Sequence, residues 1–398
     1  MKSLKSMRLH IGIFGKTNVG KSSFINRITN QNVSIVSEIA GTTTDVVEKS
    51  MELLPIGPVN FLDTAGVNDL SDLGKERIEK TLKILNRTDI GIIICDYNGI
   101  DNYEKELINK FNELKIPFII VVNKTDIQGV NEEVLSDLNA TCPHILITST
   151  KTDNNLTHKF KESLIKLLPE EFVNSPKIVG DLIPEKSIVI LVTPIDKQAP
   201  KGRLILPQVQ TIRDLLDSNC ITIVVKESEL QTTLDNLKTT PSLVITDSQA
   251  FKTVDAIVPK EIPLTSFSIL FAKLKGDLSE FEKGAKAIEN LKDKDKVLIL
   301  ESCTHHAAED DIGKVKIPKL LKQKTGKELI IEHFSGHDFP DISQYSLIIH
   351  CGACMTNRRE ILSRILISNQ KQVPITNYGI TISYCLGILD RALNIFKI

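Results

Sequence analysis

Gly15-Lys16-Thr17-Asn18-Val19-Gly20-Lys21-Ser22 is the stretch on which the reading of this chain turns. It fits the pattern G-x-x-x-x-G-K-S/T. An apolar run over Leu9–Phe14 precedes it, and a helical pattern over Lys21–Thr29 follows. Strand, glycine-bearing loop and helix start together make a phosphate cradle. Backbone N–H groups wrap the anion, and the helix N-terminus favours negative charge. Lys21 is then expected on the β- and γ-phosphates, Ser22 on Mg²⁺, and Ser23 at the rim of the pocket.

Three further motifs follow in order, each directly after a predicted strand. Asp63-Thr64-Ala65-Gly66 closes the strand predicted over 59–62. Asp63 is placed to hold the Mg²⁺ shell, and the Gly66 N–H to face the γ-phosphate. Asn123-Lys124-Thr125-Asp126 follows the strand Phe118–Val122. Asp126 can accept from the guanine N1–H and exocyclic amine, which adenine cannot offer. A buried acceptor left unpaired costs about 1–3 kcal/mol, so this carboxylate selects GTP over ATP. Ser149-Thr150-Lys151 stands where GTPases carry their last guanine loop, with Thr150 in place of the usual small alanine.

Ala40-Gly41-Thr42-Thr43-Thr44-Asp45 resembles the switch-I segment of translation-factor-like GTPases, in particular the tRNA-modifying and ribosome-assembly group. The resemblance implies nucleotide contact at Thr42, an Mg²⁺ ligand at Thr43 and a K⁺ ligand at Asn18. Val67 stands where Ras-type enzymes place the glutamine that orients the attacking water. Hydrolysis by Lys21, Thr43 and Gly66 is therefore expected to be slow, or to depend on K⁺ or a partner. Asp69 and Asp72 are the nearest acids, and both read more simply as a solvated loop.

The bulk composition sets limits on this reading. Lysine plus arginine, at 49, nearly cancels aspartate plus glutamate, at 50. That balance argues against nucleic acid as the main partner, which favours a strong basic surplus. No apolar run approaches the roughly 20 residues needed to span a bilayer. The opening MKSLKSMRLH carries two lysines with no apolar stretch behind them, so no secretory signal is read and a cytoplasmic location is expected.

At 398 residues the chain is too long for one ordinary core. Strands predicted over 9–14, 59–62, 91–95, 118–122 and 144–148 alternate with helices over 21–29, 74–85 and 103–114, which implies a mainly parallel α/β sheet. Residues 168–184 hold three prolines and no clear period, and read as a linker. A second α/β pattern follows, with strands over 187–192, 221–225 and 242–246 and helices over 209–218 and 227–237, closing near 259–263. The third has helices over 267–275, 277–291, 358–370 and 382–395, and strands over 296–300, 328–333 and 346–350. The expected domains are 1–168, 175–263 and 264–398, and no internal repeat is evident.

Seven cysteines are unevenly placed, with Cys303, Cys351, Cys354 and Cys385 in the last quarter. In a reduced compartment a C-x-x-C pair reads as metal-binding or redox rather than as a disulfide. Cys303-Thr304-His305 and His350-Cys351-Gly352-Ala353-Cys354 each follow a predicted strand. Ends of parallel strands converge on one edge, where α/β sheets bind ligands. Three readings stay open on the residues alone. One is zinc on three thiolates and His305 or His350. Another is an iron–sulfur cubane on three thiolates, with a histidine, another side chain or an exchangeable ligand on the last iron. The third is cysteines buried near a turn. Cys385 could supply a fourth thiolate, but it sits in the apolar stretch Ile380–Leu389 and reads more simply as core.

A P-loop GTPase joined to this C-x-H…H-C-x-x-C pattern resembles the [FeFe]-hydrogenase maturation GTPase family. The resemblance spans GKTNVGKSS, AGTTTD, DTAG, NKTD, CTH, HCGAC and the late Thr376-Asn377-Tyr378-Gly379. It implies a GTPase domain, a dimerisation domain and an iron–sulfur domain. It implies a [4Fe–4S] cluster on Cys303, Cys351 and Cys354, with His305 and His350 less certain as ligands. It implies a homodimer or tetramer acting as scaffold and carrier. That carrier receives a diiron precursor bearing CO and CN⁻, made with two radical S-adenosylmethionine maturases, and passes it to apo [FeFe]-hydrogenase. GTP would then regulate partner exchange. The rival from another class is a ribosome- or RNA-associated GTPase with a structural zinc domain; a third is a GTP-gated metal sensor.

Overall fold

The computed structural model describes residues 8–29, 47–63, 81–169, 172, 176–195, 204–302, 311–353 and 356–397. They form two compact units, Met1–Ser175 and Pro176–Ile398.

In the first unit, β1 (Leu9–Phe14), β3 (Gly57–Asp63), β4 (Ile90–Cys95), β5 (Phe118–Val122) and β6 (Ile145–Ile147) run parallel. An antiparallel edge strand, β2 (Val47–Leu53), completes the order β2-β3-β1-β4-β5-β6. β1, β4 and β5 are buried throughout, as continuous apolar runs in a sheet covered on both faces should be. Alternate side chains feed two cores. Ile11, Ile13, Ile92 and Val121 pack with Phe24 and Phe160, from helices Lys21–Thr29 and Leu156–Lys166. Phe14, Ile93 and Val122 pack on the other face with Phe111, from helix Asn102–Glu113. β2 was not foreseen, because VEKSMEL mixes three charges, Glu48, Lys49 and Glu52, among its apolar residues on an edge strand.

The second unit holds two four-stranded parallel sheets. The first contains β7 (Ile188–Val192), β8 (Ile221–Val225), β9 (Leu243–Thr246) and β10 (Leu264–Ser266), in the order β10-β9-β7-β8. The second contains β11 (Lys296–Glu301), β12 (Ile330–Ser335), β13 (Leu347–His350) and β14 (Ile375–Asn377), in the order β12-β11-β13-β14. Counted along the chain, both sheets wind second-first-third-fourth. No repeat was read from the sequence, because the shared feature is a path and not a pattern of residues. β10 lies beyond the boundary expected at 263 and still pairs with β9. The helix expected over 382–395 is two pieces, Tyr378–Cys385 and Leu389–Leu393, with Gly387 at φ 74° between them.

Helix Phe267–Lys275 joins the two sheets of this unit. Ile269 and Ala272 share a core with Ile190 and Val244 of the first sheet and Leu298 and Ile348 of the second. Phe267, Leu270, Phe271 and Leu274 pack on Val189, Leu191 and Leu243. A helix packed on both sides should be largely buried, and all of its residues except Ser268 and Lys273 are. No helix among the described residues is long and apolar enough to cross a membrane.

Candidate functional site

The loop after β1 turns at Gly15, with φ 136°, where an added Cβ would lie 2.1 Å from the Ile94 carbonyl oxygen. Gly20 turns at φ 100°, and a Cβ there would lie 2.3 Å from Asn123 Nδ2. Neither position tolerates a side chain, so both glycines follow from geometry. Lys16, Thr17 and Asn18 are exposed, Val19 is buried, and Ser22 and Ser23 are exposed on the first turn of the helix. Lys21 is buried and its ammonium donates to the carbonyls of Gly15, at 2.8 Å, and Lys16, at 2.7 Å. It braces the loop from within. Asp63 ends β3 in register with Ile13 and is buried beside the loop's root.

Asn123 fastens the loop to the base-reading segments. Its Nδ2 donates to the Val19 carbonyl at 2.9 Å, and its Oδ1 accepts from the Thr150 N–H at 2.9 Å. Lys124 follows in the left-handed region, φ 62°. The Asp126 carboxylate accepts from the Ser149 hydroxyl at 2.6 Å, which lowers its pKa and keeps it an acceptor. The Ser149 oxygen itself accepts from the N–H groups of Lys151 and Thr152. The structure thus gathers Gly15 to Ser23, Asp63, Asn123, Lys124, Asp126, Ser149 and Thr150 at the carboxyl edge of one sheet. Thr42, Thr43, Gly66 and Val67 lie outside the described residues.

Asp101 was not anticipated. It caps helix Asn102–Glu113 in a reciprocal box with Glu104, and its carboxylate pairs with the Lys16 ammonium. The signal was present as Asp-x-x-Glu before an apolar-periodic run. Glu104 is buried, and burial, followed by its contact with Asp101, pushes its pKa up to about 7.

In the second unit, β11 and β13 are adjacent, and Leu300 lies opposite His350. The sheet's winding reverses between them, the topological switch point at which open α/β sheets bind ligands. The Cys351 N–H donates to the Leu300 carbonyl at 2.8 Å. Its sulfur accepts from the Ser302 N–H at 3.3 Å and lies 3.7 Å from the Ser302 hydroxyl. Ser302 immediately precedes Cys303 in the sequence. Donation from an N–H group suits a thiolate, and a soft sulfur donor at this edge suits iron–sulfur ligation. Cys303, His305 and Cys354 lie outside the described residues. Among the described residues no three histidine, cysteine or carboxylate side chains gather as a metal site. Cys385 lies half-buried against the second sheet's core, and burial pushes its thiol up to about 11.

His350 has other partners. Its ring is buried. Nε2 accepts from Arg364 and Nδ1 lies 2.8 Å from the Cys351 carbonyl oxygen. A guanidinium only donates, so Nε2 carries the lone pair and Nδ1 the proton. Burial, then Arg364, lowers the ring's pKa to about 3, so it stays neutral. Neither nitrogen keeps a lone pair for iron in this arrangement. Arg364 also pairs with buried Glu360 at 2.7 Å, and Glu360 receives His337 at 3.0 Å. These partners lie on helix Arg358–Gln370 and near β12.

A doubly covered parallel sheet with a phosphate loop at its carboxyl edge and an ionised aspartate at the base-reading end defines a P-loop guanine-nucleotide-binding protein. Residues 10–124 match the 50S ribosome-binding GTPase family, residues 178–276 the hydrogen maturase F dimerization domain, and residues 279–395 the hydrogen maturase F tetramerization domain. The chain therefore belongs to the hydrogen maturase F family, the hydrogenase maturation GTPases.

Among curated relatives, the tRNA modification GTPase MnmE of Prochlorococcus marinus (strain NATL1A) is 39% identical over 153 residues, covering 37% of this chain and 32% of the relative. That of Caldicellulosiruptor saccharolyticus is 42% identical over 121 residues, covering 30% and 26%. The chain spans about a third or less of the length of these relatives. The solved structure of an Aquifex aeolicus Era variant bound to GDP and AlF4⁻ is 19% identical, covers 62% of this chain and 97% of its own, and has a TM-score of 0.34. The G domain of the T. maritima FeoB iron transporter is 18% identical, covers 40% and 98%, and has a TM-score of 0.31.

Proposed function

We propose that this chain is a GTP-regulated scaffold and carrier that holds a [4Fe–4S] cluster and delivers the diiron precursor to apo [FeFe]-hydrogenase. Residues 1–168 bind nucleotide, 175–263 dimerise, and 264–398 hold the cluster. The observation that carries the reading is Cys351 at the switch point of the second sheet, its sulfur bonded to the residue that precedes Cys303. Cys303, Cys351 and Cys354 are the proposed thiolates; when bound, the cluster supplies an iron with an exchangeable position. His350 orients the Cys351 segment, and His305 is the remaining candidate histidine.

In the first unit, Lys21 neutralises the β- and γ-phosphates, and the Gly66 N–H faces the γ-phosphate. Ser22, Thr43 and Asp63 hold Mg²⁺, and Asn18 holds K⁺. Thr42 touches the nucleotide, and Asp126, backed by Ser149, reads guanine. Hydrolysis is slow and K⁺-stimulated. The family's dimerization and tetramerization domains support homo-oligomers, and edge strand β8 supports the same, with Ile221 53% and Val224 43% exposed. The hydrogenase and the two radical S-adenosylmethionine maturases are the proposed partners in the cytoplasm. The tRNA-modification likeness stops at the nucleotide domain and adds no RNA partner.

The deciding experiment is anaerobic reconstitution with iron and sulfide, read by absorption and EPR. A broad charge-transfer band and a reduced-cluster signal are expected. Cys351→Ala should abolish both. A colourless protein holding one tight zinc would overturn the cluster.

A further inference from the structure

Lys275 is the last residue of helix Phe267–Lys275 and is 4% exposed. Burying an ammonium is costly unless strong acceptors surround it. Its Nζ donates to the carbonyls of Ala353, at 2.7 Å, and Thr356, at 2.9 Å, and stands 5.9 Å from the Phe271 ring centroid. Those carbonyls bracket residues 354 and 355, so one buried cation clamps the loop between Cys351 and helix Arg358–Gln370. Ala353 sits at φ 52°, a conformation that alanine rarely adopts without outside support. Arg358 completes the clamp from the other side, donating to the Leu274 carbonyl at 2.6 Å. The helix that carries Lys275 is fixed in two of this unit's cores, so the ammonium is held on a rigid element.

We propose that Lys275 is a positioning residue for the cluster. It fixes the backbone at Ala353 and Thr356, two and five residues past Cys351, and so holds a buried positive charge on the segment that this thiolate opens. This rests on the cluster reading above. A carbonyl clamp alone could be made by a neutral donor. A buried ammonium in addition stabilises negative charge nearby, and a cluster gains one when it is reduced. Removing the cation should therefore lower the reduction potential.

The test uses the full-length protein and its Lys275→Met and Lys275→Arg variants, reconstituted anaerobically with iron and sulfide. Circular dichroism verifies the fold, and EPR-monitored redox titration gives the potential. With Lys275→Met, the equilibrium for reduction should fall by about tenfold or more, a shift of about 59 mV for one electron. Lys275→Arg should recover at least half of it. If folded Lys275→Met instead takes up no cluster and Lys275→Arg does, the positioning role is supported equally. A folded Lys275→Met with full iron content and the wild-type potential overturns the proposal. So does equal damage in both variants, since packing would then be at stake and not charge. Failure of the unaltered protein to form a cluster would overturn the underlying reading instead.

Discussion

Asn123 divides one amide between two backbone partners, the Val19 carbonyl in the phosphate loop and the Thr150 N–H in the guanine loop. Its replacement by alanine leaves both groups buried and unpaired, at about 1–3 kcal/mol. Asn123→Ala should therefore weaken GDP binding and lower the unfolding temperature of the first unit together, as calorimetry would record. Asp126→Asn acts at the base-reading end, where the carboxylate also accepts from Ser149. GDP affinity should fall by roughly 10- to 100-fold, the worth of a charge-assisted bond. Fluorescent-nucleotide titration measures this, and an unchanged affinity would remove Asp126 from base reading. Lys21→Ala should slow hydrolysis by at least about 100-fold, and equal rates in K⁺ and Na⁺ would refute the role given to Asn18.

Glu104 adds a pH dependence. Its folded pKa stands raised, at about 7, so the folded state keeps a proton that the unfolded state releases above 4.5. Stability of the first unit should then fall as pH rises from 4.5 to about 7, and level off above. Glu104→Gln should flatten that slope in denaturant titrations. The motif residues were legible because phosphate and guanine chemistry fix their types and spacing. Lys275, Glu360 and Arg364 were not, because a charged residue is ordinarily a surface residue. What buries Lys275 lies 78 residues away in sequence.

Elements were legible where burial on both faces writes a continuous apolar run, as in β1, β4 and β5. They were hidden where the run is short or mixed, as in β14, three residues long, or in edge strand β2. Edge strand β8 carries a consequence for assembly. An open edge flanked by exposed apolar side chains invites a second chain. Ile221→Lys with Val224→Lys should shift the protein toward monomer in light scattering, with its circular dichroism retained; an unchanged mass would place the contact elsewhere.

For the whole molecule, the two units each enclose their own cores. Residues 1–175 expressed alone should fold and bind GDP within about threefold of the full chain, as a domain with its own core does. The cysteine pattern and the phosphate loop were readable 280 residues apart because each obeys local chemistry. The common path of the two sheets was not, because topology leaves no fixed residues behind. That doubled path has a kinetic cost. While folding, the chain must tell its first copy of the winding from its second, and a strand docked on the wrong copy is a trap of the kind repeated architectures suffer. Helix Phe267–Lys275, buried between the copies, gives the order of assembly a marker, and refolding should show a slow phase that lengthens when Ile269 is cut to alanine.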